Sequence, residues 1–202
     1  MILELKKQFG PKCLGLKVNY NNDFSYSPAK PIRFCEAVND AFKTPLLFNP
    51  LNLECIGAKR SMGLLRDDKE LVKHIAEDSN IAKQTIKKAL SDIPQMSTPI
   101  HNVLMGIDEK FESQECPDMY IMYIDPKQLT DLTRRLILKT NEYPISQPFP
   151  FLSICGNVFI STFKSACMSI SFGCPDSREY GGLKDNQLVV GLPYNQAVQI
   201  LS

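Results

Sequence analysis

Apolar and polar positions along this chain form short blocks whose spacing switches between that of a strand and that of a helix. CLGLKVNY (13–20) has the length and composition of a strand, and the following NNDFSYSPAKP is rich in turn-favouring Asn, Asp, Ser and Pro. In FCEAVNDAF (34–42), Phe34, Val38 and Phe42 recur at i, i+4 and i+8, which predicts a short helix. TPLLFN predicts a brief strand, after which Cys55 opens a second helix that Gly63 closes.

Residues 67–91 predict two amphipathic helices. Behind Asp67 and Asp68, Leu71, Val72 and Ile75 share one face; in the next helix Ile81, Thr85, Ile86, Ala89 and Leu90 point inward while Lys83, Lys87 and Lys88 form a solvated face. Pro94 and Pro99 bracket a loop, and HNVLMGI (101–107) resumes as a strand beginning at His101. MYIMYI (119–124) is apolar on both alternations, as in a strand covered on both faces of a largely parallel or mixed sheet. Asp125 and Pro126 start a helix as its cap and first-turn residue, and Leu129, Leu132 and Leu136 form its apolar stripe. A proline-rich connector, PISQPFP, leads into a second cysteine region, a strand in NQLVVGLP (186–193) and a short terminal helix. The blocks together predict an α/β (or α+β) fold, a mixed sheet flanked by helices, in one domain over residues 1–202.

One pattern occurs twice. ECIGAKRSMGL (54–64) and GCPDSREYGGL (173–183) align without a gap on C-x3-[KR]-x3-G-L, matching Cys55 with Cys174, Lys59 with Arg178, Gly63 with Gly182 and Leu64 with Leu183. Upstream, the segment from Cys35 to Lys43 matches that from Cys155 to Lys164 with one residue inserted. Each unit, near 35–64 and near 155–183, therefore reads cysteine, helix, Phe-Lys, strand, cysteine, helix, Gly-Leu. A pseudo-two-fold duplication facing a common cleft explains this, and so does chance similarity between short gapped stretches. Convergence of both cysteine-first helices on one place separates the two readings.

Composition narrows the function classes. Of 202 residues, 44% are hydrophobic and 22% charged, with a net charge of +1, the profile of an ordinary globular chain. Without a basic excess there is no phosphate-neutralising footprint, so nucleic acid is not an expected partner. The N-terminal MILELKKQFGPK mixes acid and base too early for a signal peptide or membrane span, and seven cysteines without a secretion signal suggest reduced thiols. The expected location is cytoplasmic, with no membrane partner.

A cysteine at a helix start meets unpaired N–H groups at the positive end of the macrodipole, which favours its thiolate or an anionic ligand beside it. Lys59, Arg60 and Arg178, within one turn, add to that bias if they fold back. The candidate ligand-binding set is Cys55, Gly57, Lys59, Cys174, Ser177 and Arg178, with Cys174 and Cys55 as candidate nucleophiles. Cys35, Cys55, Cys155 and Cys174 are also candidate ligands for zinc or an iron–sulfur cluster, although no CxxC pair is present. Cys13, Cys116 and Cys167 read as small apolar filler, and His74 and His101 as surface or boundary residues. Asp108, Asp176 and Asp185 are candidate site acids that no motif pairs. GxGxxG, the Walker-type loop, GxSxG and HExxH are all absent.

PIRFCEAVNDAF, LECIGAKRSMGL and SISFGCPDSREYGGLKDNQLVVGLP resemble, in order, the three hallmark blocks of an archaeal and bacterial family, domain of unknown function family 169. The resemblance spans nearly the whole chain and falls on Cys35, Cys55, Gly57, Gly63, Gly173, Cys174, Ser177 and Arg178. Gln187 departs from it, standing where a glutamate is expected. The resemblance implies no activity. Three functions therefore stay open: binding of a small anionic ligand, cofactor or metal centre in a cysteine/arginine-lined cleft; a thiol-dependent enzyme; and a regulatory or scaffold domain with structural cysteines.

Overall fold

The computed structural model describes residues 1–19, 31–65, 67–106, 116–146 and 149–202; Asp108 and most of the NNDFSYSPAKP turn lie outside them. Seven described strands form one sheet. They are β1 (Cys13–Val18), β2 (Leu46–Phe48), β3 (Val103–Gly106), β4 (Met119–Ile124), β5 (Ile145–Ser146), β6 (Ser169–Ser171) and β7 (Leu188–Pro193), in the order β2-β3-β1-β4-β7-β6-β5. The sheet is mixed, but among the described pairings only β5 with β6 is parallel, so "largely parallel" is corrected to mostly antiparallel. The double-sided apolar pattern of MYIMYI has its expected cause, because both faces are covered. Met119, Ile121 and Tyr123 enter one core, and Tyr120, Met122 and Ile124 the other.

The second core is roofed by α1 (Ile2–Phe9), α6 (Pro126–Thr140) and α9 (Tyr194–Leu201). Ile2, Leu5 and Phe9 bury one stripe of α1, a helix the sequence reading passed over in favour of its charges. Asp125 starts α6 with a capping box: its carboxylate accepts from the Gln128 N–H at 2.8 Å, and its own N–H donates to Gln128 Oε1 at 2.9 Å. Leu132 and Leu136 are buried there and Leu129 half-buried.

The first core carries α2 (Phe34–Ala41), α3 (Ile56–Ser61), α4 (Lys69–Ser79), α5 (Lys83–Asp92), a π-helical segment (Ser153–Ile160) running into α7 (Ser161–Ser165), and the short α8 (Pro175–Glu179). In α5 only Ile86 and Leu90 are buried; Thr85 is exposed, and Ile81 and Ala89 are half-buried. This helix lies on α4 at the rim of the core, so its apolar stripe is narrower than the sequence implies. His101 is exposed and precedes β3.

Several strand pairs share an antiparallel register. Gly15↔Gly106, Leu16↔Met105 and Lys17↔Leu104 of β1–β3 answer to Ile121↔Gly191, Met122↔Val190 and Tyr123↔Val189 of β4–β7. Leu46↔Met105 and Leu47↔Leu104 of β2–β3 answer to Ile170↔Val190 and Ser171↔Val189 of β6–β7. The two sets meet at the antiparallel β1–β4 pairs Leu14↔Ile121 and Gly15↔Tyr120. In chain order α2 lies between β1 and β2 and α3 follows β2, while the π segment and α7 precede β6 and α8 follows it. Phe34 and Phe159, from α2 and the π segment, stack at 5.1 Å between centroids.

Candidate functional site

The local sequence fixes how each cysteine is presented. Cys55 is the extended N-cap residue of α3, and Cys174 that of α8. Both Gly-Leu signatures turn the chain back: Gly63 and Gly182 have left-handed φ of 81° and 64°, which glycine adopts without a Cβ penalty. After α3 the turn is a Schellman motif, with Leu64 N–H donating to Lys59 O at 2.8 Å and Gly63 N–H to Arg60 O at 3.1 Å. At α8, Ser177 Oγ accepts from the Cys174 N–H and donates to the Cys174 carbonyl, both at 2.7 Å. Cys35 lies in the first turn of α2 and Cys155 in the π segment, both buried.

These four cysteines line one cavity of about 630 Å³, in the usual size range for a small-molecule site. Its apolar wall includes Phe34, Ile56, Leu71, Ile75, Phe151 and Ile154, from α2, α3, α4 and the approach to and first turn of the π segment. Its ionic side chains are Arg33, Glu54, His74, Asp78 and Asp176. Of the six candidate ligand-binding residues, Cys55, Gly57 and Cys174 line the cavity and Lys59, Ser177 and Arg178 do not. Ser177 is consumed by the cap just described. Arg178 straps its own loop, donating to Phe172 O at 2.6 Å and Lys184 O at 2.8 Å, with Asp185 at 3.6 Å. Gln187 serves that loop through its oxygen, which accepts from the Lys184 N–H at 3.1 Å. A glutamate offers the same acceptor, so the departure from the family pattern leaves the turn intact.

Arg60 turns away from Cys55 altogether. It is buried, and its guanidinium donates to Leu90 O and Ile93 O, each at 2.7 Å, and to Asp68 at 3.2 Å, binding α3 to the end of α5.

The centre of the site is Asp176, one of three acids the sequence offers with nothing to pair it. Its carboxylate takes Arg33 Nη1 at 2.6 Å and faces the Cys55 thiol at 3.9 Å, while its carbonyl accepts from the Cys35 thiol at 3.5 Å. Arg33 in turn stacks over the Tyr180 ring, 4.4 Å from its centroid. Arg33 and Asp176 each lie two residues from a candidate cysteine, but only the tertiary pairing of α2 with α8 joins them.

Burial reverses the expected thiolate bias. It pushes the Cys55 thiol up, against the opposing pull of the Ala58 and Gly57 N–H groups and Arg33. Cys35 is pushed up by burial first and then by Cys174, Cys55 and Asp176, and Cys155 is pushed well up by burial. At Cys55 the physical reason is scale: α3 spans six residues, too short for a full macrodipole, whereas desolvation acts on the whole thiolate charge. Among the described residues no group of three or more His, Cys, Asp or Glu is arranged to hold a metal ion. Of the remaining cysteines, Cys13 is buried as filler, whereas Cys116 is exposed and Cys167 half-exposed. His74 sits at the cavity mouth, its Nε2 3.3 Å from Asp78.

No helix among the described residues is long and apolar enough to cross a membrane. No curated protein and no solved structure matches the chain. The model of family DUF169, described as uncharacterised ArCR, matches residues 9–202, and the chain belongs to that family.

Proposed function

We propose that this protein binds a small, largely apolar molecule in the four-cysteine cavity, and that the cavity arose at the junction of two duplicated units. The observation that carries the reading is the convergence of Cys35, Cys55, Cys155 and Cys174 with Phe34, Ile75 and Phe151 around about 630 Å³ of space. The similar strand registers support the duplication, as does the lining of one cavity by both cysteines at helix starts. An anionic ligand draws no support from Lys59 or Arg178, which lie outside the lining. A zinc or iron–sulfur centre draws none from the present arrangement of the thiols.

Nile red, an uncharged dye that brightens in apolar surroundings, tests the reading. The purified chain is expected to bind it, and Ile56→Trp, which places an indole in the cavity from a half-buried position, to lose at least about 90% of that signal while its melting curve stays cooperative. Absence of binding to the folded wild type, or binding unchanged in the Trp variant, sinks the proposal.

A further inference from the structure

Resting on that cavity reading, we infer that the natural ligand is an organic cation, with an apolar, polarisable body among the thiols and an amine, guanidinium or quaternary ammonium group at the mouth. Arg33 is the sole permanent cation among the described lining residues, and it is already engaged, paired with Asp176 at 2.6 Å and stacked on Tyr180. Once that pair cancels, Glu54 and Asp78 are the remaining lining carboxylates, with His74 Nε2 3.3 Å from Asp78, so with a neutral imidazole the lining is negative although the whole chain carries a net charge of +1. The negative field is therefore local to the mouth. A carboxylate or phosphate entering here has to break the Arg33–Asp176 pair or lie beside two like charges; a cation meets neither cost.

Behind the lining, Asn157 donates its amide N–H groups to Phe149 O at 3.3 Å and to Phe151 O at 3.1 Å, and its Oδ1 is a buried acceptor without a partner among the described residues, although Asn157 itself does not line the cavity. Sulfur atoms on several sides suit an aromatic or otherwise polarisable body, because S···ring contacts are favourable.

The test is displacement of Nile red from the full chain by two ligands of matched size, 1-naphthylmethylammonium and 1-naphthylacetate. The ammonium is expected to half-displace the dye at a concentration about tenfold or more below the acetate, a gap that narrows in high salt. In Glu54→Gln/Asp78→Asn the gap is expected to close to about twofold, and each single variant to close part of it. Both side chains are exposed, and a melting curve on each variant shows that its fold is retained. An acetate that displaces as well as the ammonium overturns the inference. So does a preference that survives in the folded double variant, or failure of the ammonium to displace at all. Each of these outcomes leaves the cavity reading standing if Ile56→Trp abolishes dye binding; loss of dye binding to the wild type removes the cavity reading first.

Discussion

At the residue scale the chemistry of the cysteines follows from burial more than from helix position. Cys35 and Cys155 are enclosed and their thiols are held protonated, so the folded protein is expected to leave both unmodified by iodoacetamide at pH 7.5 while the exposed Cys116 is alkylated first. Peptide mass mapping over a time course checks this. Faster labelling of Cys35 or Cys155 than of Cys116 contradicts the assignment and revives a thiolate-based reaction. The cysteines and both Gly-Leu turns were legible as a repeated pattern because each is a local demand: a helix start, and a left-handed residue after a helix. Asp176 was not, since an aspartate near a helix start is common, and its pairing with Arg33 joins residues 143 apart in the chain.

Elements owe their positions to a few long-range ties. Arg60 is the clearest: its guanidinium donates to two carbonyls at the end of α5, Ile93 O and Leu90 O, the second of which also accepts from the Ile93 N–H at 3.2 Å. Arg60→Met is expected to lower stability by about 3 kcal/mol, because two buried charge-assisted hydrogen bonds are lost and Ile93 O is left without this donor, and Arg60→Lys to recover less than half of that loss, lacking the planar fork. Urea titration of the three proteins measures the difference, and a methionine variant within about 0.5 kcal/mol of wild type would falsify the role. From sequence, Arg60 looked like one of two cations, with Lys59, within a turn of Cys55. Its direction depends on α5, whose C-terminal carbonyls create the demand. The capping box at Asp125 and the apolar run of β4 needed no such partner, and both were correctly read from a few adjacent residues.

For the whole molecule, two buried thiols make stability depend on alkaline pH. Each has a folded pKa raised above its unfolded value, so its contribution is fully present below the ordinary thiol range near 8.5 and is lost as pH rises from there toward the folded value. In that window the unfolded chain binds fewer protons than the folded one, and stability falls by up to about 1.4 kcal/mol per pH unit for each thiol. Cys155→Ala is expected to flatten this slope between pH 9 and 10.5 by close to one thiol's share, measured by urea unfolding at each pH; an unaltered slope shows that Cys155 ionises freely in the fold. Residues adjacent in the chain were enough for the helices and strands with complete local signals, the double-sided cover of β4, the twice-occurring C-x3-[KR]-x3-G-L motif and the family. These rest on residues that are neighbours in the chain, where backbone preference and apolar spacing act directly. Tertiary structure alone decided the antiparallel order of the sheet, which cations reach the cavity, and the protonation of its thiols. Each of those depends on what packs against a residue from a distant segment, and desolvation by that packing outweighs the weak field of a one-turn helix.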